Sequence, residues 1–195
     1  MLKPAILYKD QIEKYFREIY YTEDMLFETG CCNENWTPNI SDNTSNDMFQ
    51  FAIVDSEDEC IGYISFRVDW YASNAYNFGL ISFDRGNFLV GKALQEVMNK
   101  LIYEFKLHRI EWRMVGGNPV ERHYDKFCSK YNGTKHILHD VIKDVSGNYH
   151  DNIIYEIILD DINNDTKVDN NESNGNRYKR VKVDGVYHPL YKNSL

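Results

Sequence analysis

The sequence has no surplus of positive charge: 22 Lys and Arg stand against 30 Asp and Glu, a formal net charge of −8. Such a chain has no overall field to collect nucleic acid or an anionic membrane surface, so neither is expected as a partner, although a local anion site is not excluded. Metal-ligand spacing is missing too. There is no C-x-x-C and no Cys/His cluster, and the 4 cysteines, Cys31, Cys32, Cys60 and Cys128, include an adjacent pair awkward for a local disulfide. A reducing compartment and no metal centre are the expectations. No apolar run approaches the ~20 residues of a membrane helix, and Met1-Leu2-Lys3-Pro4 does not open a secretory leader. A cytoplasmic protein without a membrane partner is expected. What is plentiful is aromatic: 15 Tyr and 10 Phe among 195 residues, in a composition otherwise ordinary at 43% hydrophobic and 27% charged.

That length suits one principal core with a tail. Residues 160–195 carry six acidic and six basic side chains, so the whole −8 belongs to residues 1–159. Within the remainder, 160–176 (DDINNDTKVDNNESNGN) has almost no apolar residue and reads as a disordered acidic, Asn-rich linker. Residues 177–195 regain Val186, Tyr187 and Leu190 among basic residues, a tail suited to docking, partner binding or hanging free.

In the first 159 residues, Pro4 to Tyr8 reads as a strand, followed by a helix capped by Asp10 that carries Ile12, Tyr15, Phe16, Ile19 and Tyr20 at helical spacing. A short helix from Thr22 to Thr29 has Thr22 as its cap, and a polar loop follows from Gly30 to Asp47. Met48 to Val54, Ile61 to Trp70 and Tyr76 to Phe83 read as an antiparallel meander. From Gly91 to Phe105, Ala93, Leu94, Val97, Met98, Leu101 and Ile102 recur three and four apart, one buried helical face. A strand over Arg109 to Val115, a helix opened by Asn118-Pro119, and a hairpin of Lys135 to Lys143 with Tyr149 to Leu159 complete the order.

The chemistry concentrates between Tyr76 and Ala93. A strand feeding through Asp84-Arg85-Gly86-Asn87 into a helix leaves backbone N–H groups unpaired at the positive end of the helix dipole, where phosphate binds. Gly91 would admit a pyrophosphate close to the main chain, with Lys92 and Arg85 adding charge. Taken alone, the segment reads rather as an ordinary β-to-α junction whose glycines serve the turn.

With its surroundings it resembles the GNAT family of acyl-CoA-dependent N-acetyltransferases over residues 1–159. Phe88-Leu89-Val90-Gly91-Lys92-Ala93 is similar to the family's Q/R-x-x-G-x-G/A turn, with Phe88 where Gln or Arg is usual. Leu107 to Met114 is similar to the strand after the long helix, and Asn118-Pro119 followed by His123-Tyr124-Asp125-Lys126-Phe127 is similar to the family's N-x-x-a-x-x-x-Y-e-k-l helix.

The resemblance implies an α/β (α+β) GNAT-like fold, a central mixed, mostly antiparallel sheet of about seven strands flanked by about four helices. It implies acetyl-CoA as cosubstrate, with its pantetheine arm pairing main-chain groups near Ile81 and Phe83. The pyrophosphate would meet the turn formed by Phe88, Val90, Gly91, Lys92 and Ala93, and Asn118 would match the family's cofactor-contacting Asn. Tyr124 matches the acid that protonates the departing thiolate. The strand over Tyr76 to Phe83 lacks the carboxylate many members use as base. Asp69 and Glu111 are then the candidates, with His108 behind them, unless the amine arrives neutral. The implied acceptor is a primary amine, small or on a protein, and the acidic domain favours a cationic one. Many members pair, which makes a homodimer one expected assembly. A non-catalytic acyl-CoA-binding regulator is the alternative.

Overall fold

The computed structural model describes residues 1–31, 37–41 and 45–159, with the backbone of 180–183 and 186–189. Residues 1–163 and 164–195 form two compact units. The expected linker over 160–176 lies outside the described residues. In the second unit, β8 (Arg180–Val183) and β9 (Val186–Pro189) pair antiparallel.

In the first unit, β1 (Leu2–Pro4) leads through a 3-10 turn, Ala5–Tyr8, into α1 (Lys9–Ile19) and α2 (Glu23–Thr29). The meander is β2 (Met48–Val54), β3 (Cys60–Asp69) and β4 (Asn74–Ser82). Next come α3 (Phe88–Asn99), β5 (Arg109–Val115), α4 (Glu121–Lys130), β6 (Thr134–Lys143) and β7 (Tyr149–Ile158). The seven-stranded sheet runs β1-β2-β3-β4-β5-β7-β6, and β4 with β5 is its parallel pair. Among the described residues no helix is long and apolar enough to cross a membrane.

The boundaries that moved have local causes. The strand expected over Pro4 to Tyr8 ends at Pro4, because the next four residues close into the 3-10 turn and bury Ala5 and Tyr8. The long helix begins at Phe88 rather than Gly91, since the Asn87 side chain accepts the Leu89 N–H at 3.0 Å and caps it. It ends by widening into a π turn over Lys100–Glu104, where the Phe105 N–H reaches the Lys100 carbonyl at 2.8 Å. Asn118 and Pro119 form a turn ahead of α4, whose first helical residue is Glu121. Thr22 caps α2 as expected, accepting the Met25 N–H at 3.3 Å.

Two apolar clusters sandwich the sheet. One gathers Val90, Ala93, Val97 and Met98 of α3, Leu101 of the π turn and Cys128 of α4 against Ile64, Phe66, Ile110, Trp112 and Tyr155. The other gathers Ile12, Phe16, Ile19 and Met25 of α1 and α2 against Ala52, Val54, Tyr63 and Ile81. Along β2, Ile53 belongs to the first cluster, and Ala52 and Val54 to the second. A strand covered on both faces reads as a continuous apolar run rather than an alternation. Each large side chain so buried contributes roughly 1.5–3 kcal/mol.

Candidate active site

The sheet opens along one seam. β4 and β5 pair at Asn74↔Arg109, Ala75↔Ile110 and Phe78↔Trp112, and the register slips between Ala75 and Phe78. The β3–β4 register slips at the same place, Ser65↔Gly79 giving way to Arg67↔Tyr76. Both shifts put one extra residue into β4 around Tyr76-Asn77, and Asn77 takes the left-handed φ of 49° that such a bulge imposes. Beyond Phe78 the strands no longer pair, so Gly79–Ser82 and Arg113–Val115 border a cleft at their C-terminal ends.

Which main-chain groups face that cleft follows from the antiparallel alternation. The Phe83 N–H donates to the Ile61 carbonyl at 2.9 Å, so Phe83 and, two residues back, Ile81 point their polar groups at β3. The expectation that Ile81 and Phe83 pair the pantetheine arm is therefore corrected: Leu80 and Ser82 carry the outward-facing groups. The Ser82 carbonyl already lies 3.3 Å from the Tyr15 hydroxyl of α1.

On the α3/α4 face Trp112 and Tyr124 pack together, each with a polar atom that has no partner among the described residues. Trp112, 5% exposed and at the last β4–β5 pair, has a buried indole N–H with no partner among the described residues. Tyr124 of α4 lies edge-on to Trp112 and to Tyr155, 6.0 Å between centroids in each case. Its hydroxyl makes no hydrogen bond among the described residues, and burial pushes the phenol up to about 12, so it keeps its proton at neutral pH. The helix that carries it is clamped: Asp125 accepts the Tyr155 hydroxyl at 2.7 Å and Lys135 Nζ at 2.9 Å, and Glu121 accepts Lys135 at 2.7 Å.

The start of α3 makes a smaller anion site than its sequence suggests. Asn87 takes the Leu89 N–H on its side chain and the Val90 N–H on its carbonyl, which leaves the Phe88 N–H without an intrachain partner among the described residues. A Cβ on Gly91 would meet nothing within 4 Å, so packing within the chain does not demand glycine there and the turn has room for a bulky neighbour. Ala93 faces the core. Lys92 lies over the exposed Phe88 ring, 4.8 Å from its centroid, while the Arg85 guanidinium pairs with Asp24 at the start of α2. These groups fit the phosphate end of acetyl-CoA, and the outward edge of β4 fits its pantetheine.

Three expected site residues are engaged elsewhere. Asn118 donates one of its two amide hydrogens to the Phe27 carbonyl at 2.8 Å and accepts the Val120 N–H at 3.1 Å, so it lashes α2 to the β5–α4 turn. Asp69 lies at the closed end of the seam, four residues or roughly 13 Å of strand before the last β4–β5 pair, and accepts the Tyr71 and Ala72 N–H groups. Glu111 neighbours the seam but is held by Arg109 at 2.6 Å and Arg113 at 3.8 Å.

A carboxyl that the sequence reading passed over lies closer. Glu28, in the last turn of α2, accepts the Tyr15 hydroxyl at 2.8 Å on Oε1, while its Oε2 is buried with no partner. α2 packs on β4, β5 and α1, across the open end of the seam. Burial pushes the Glu28 carboxyl up to about 7, against the Tyr15 hydrogen bond and the Arg85 charge that pull it down. Its local signal was a carboxylate at the C-terminal end of a helix, where the dipole disfavours negative charge. Among the described residues no group of three or more His, Cys, Asp or Glu side chains is arranged to hold a metal ion.

No family model and no curated protein matches the sequence. Solved structures do resemble it. Spermidine/spermine N-acetyltransferase SpeG from Vibrio cholerae, in complex with manganese ions, is similar over 63% of this chain and 72% of that one, at 17% identity and a TM-score of 0.51. The dodecameric spermidine N-acetyltransferase from Vibrio cholerae in an intermediate state covers 63% and 71%, at 17% identity and 0.52. A chimera of SpeG from Vibrio cholerae and hSSAT covers 62% and 73%, at 18% identity and 0.50. The seven-stranded, mostly antiparallel sheet with its four helices matches the GNAT fold of these N-acetyltransferases.

Proposed function

We propose that this chain is an acetyl-CoA-dependent N-acetyltransferase whose acceptor is a primary amine, cationic and of the polyamine class. The observation that carries the reading is the seam: a bulge at Tyr76-Asn77 parts β4 from β5, and beside the last pair stand Trp112 and, edge-on to it, Tyr124, whose indole N–H and hydroxyl have no partner among the described residues. Bound acetyl-CoA would supply an activated acyl carbon. The outward groups of Leu80 and Ser82 would bind the arm, and Phe88, Gly91 and Lys92 would receive the phosphates. Main-chain N–H groups at the bulge would polarise the carbonyl, and Tyr124 would give its proton to the departing sulfur. The polyamine class is supported by the solved structures of spermidine N-acetyltransferases and by the −8 carried on residues 1–159. The dodecamer among them, and the exposed Ile137 and Leu138 on the edge strand β6, support self-association.

Release of CoA thiol with spermidine, compared between the native chain and Tyr124→Phe, tests the reading. Turnover should fall about 10²-fold or more in the variant while acetyl-CoA affinity, measured by calorimetry, stays unchanged. Affinity for acetyl-CoA without turnover of spermidine or any amine in a panel would instead establish a non-catalytic acyl-CoA-binding protein.

A further inference from the structure

An alkyl ammonium with a pKa near ~10 is almost wholly protonated at neutral pH, so a group beside the cleft must take its proton before nitrogen can attack. Asp69 is remote from the opening and Glu111 is ion-paired, whereas Glu28 has a buried carboxyl oxygen that nothing in the described chain satisfies. An unpaired oxygen in that position costs stability, and a function that uses it accounts for its presence.

Resting on the acetyltransferase reading, we propose that Glu28 is the proton acceptor for the amine and that the Tyr15 hydroxyl relays the proton to it. The hydroxyl donates to Glu28 Oε1 at 2.8 Å, and its oxygen lies 3.3 Å from the Ser82 carbonyl on the open edge of β4, which sets it beside the seam. Its ring is fixed by stacking on Phe83, 4.1 Å between centroids, so the oxygen is held where an amine at the seam can donate to it. The relay lies on the α1/α2 face of the sheet, and Tyr124 on the α3/α4 face, so proton removal and proton delivery occur on opposite sides of the acyl carbon.

The protons balance. The ammonium passes one proton to the Tyr15 oxygen as the Tyr15 hydrogen moves to Glu28, leaving a neutral amine, a phenol and a carboxylic acid. The C–N bond then forms and the C–S bond breaks. Sulfur takes the Tyr124 proton, and Tyr124 recovers one from the new amide nitrogen. Glu28 returns its proton to water, the one proton released overall. The charged and titratable groups around Glu28 are Tyr15 of α1, Arg85 of the β4–α3 turn and Asp24 of its own helix; on β5, Arg109, Glu111 and Arg113 lie on the sheet face turned toward α2.

The experiment follows kcat/KM for spermidine from about pH 6 to about 9.5 in the native chain, Glu28→Gln and Tyr15→Phe, with melting and acetyl-CoA affinity measured alongside. The native profile should fall on its acid side with an apparent pKa near 7. Glu28→Gln should lose that limb, run about 10²-fold slower at pH 7, and climb tenfold per pH unit with the neutral fraction of the amine. Tyr15→Phe, which keeps the carboxyl, should behave likewise and carries the test if the Gln variant does not fold. A native enzyme that turns over while both variants keep its profile overturns the Glu28 assignment alone. A native chain that binds acetyl-CoA and acetylates no amine overturns that assignment together with the acetyltransferase reading.

Discussion

Glu28 has a stability consequence independent of turnover. Its carboxyl titrates near 7 in the folded chain against an ordinary 4.5, so between those values the native state holds a proton that the unfolded chain has lost. Stability therefore falls as pH rises through that window and stays lower above it, by roughly 3 kcal/mol at most. Glu28→Gln removes the titration. In urea denaturation the variant should match the native chain near pH 4.5 and exceed it at pH 8, and equal midpoints at both pH values would refute the buried charge. Tyr124 and Glu28 also mark what the residues alone could tell. Tyr124 was singled out because its neighbours form a local motif; Glu28 was not, because its contact with Tyr15 exists only once α1 and α2 have packed together.

For the elements, local signals carried most of the fold. Thr22 as a cap, the three-and-four spacing of Ala93 to Ile102, and the β5 bounds could be read because each depends on neighbours within a turn or two. The Asp10 cap failed because the 3-10 turn before α1 delivers the chain already helical, with Lys9 as its first residue and no side-chain cap. The bulge in β4 was invisible because an extra residue in a strand shows only against its partners. Gly62 is a similar case. A Cβ there would lie 2.8 Å from the Ile81 carbonyl oxygen and 3.2 Å from Ile53 Cδ1, so glycine is what lets β3 approach β4. Gly62→Ala should cost roughly 2–4 kcal/mol by denaturant unfolding, since backbone cannot yield as a side chain can, and a loss under about 0.5 kcal/mol would show that β3 and β4 shift freely.

Across the whole molecule, the charge that argued against nucleic acid would, on the proposed reading, act as a selector for cations. The −8 lies on residues 1–159, which bear the seam, and residues 160–195 are balanced. If that field draws in the acceptor, raising NaCl from about 0.05 M to about 0.5 M should raise the KM for spermidine several-fold and leave the KM for acetyl-CoA no higher, because salt screens both encounters and only one is attractive. A spermidine KM insensitive to salt would assign the selectivity to contacts alone. The seam has a further property at this scale. The bulge at Tyr76-Asn77 is a phase slip, and it puts the two halves of β4 out of step with both neighbouring strands. What holds the sheet open is therefore a matter of counting rather than of chemistry. One supernumerary residue separates a molecule with a cleft from one whose seven strands would close without a gap.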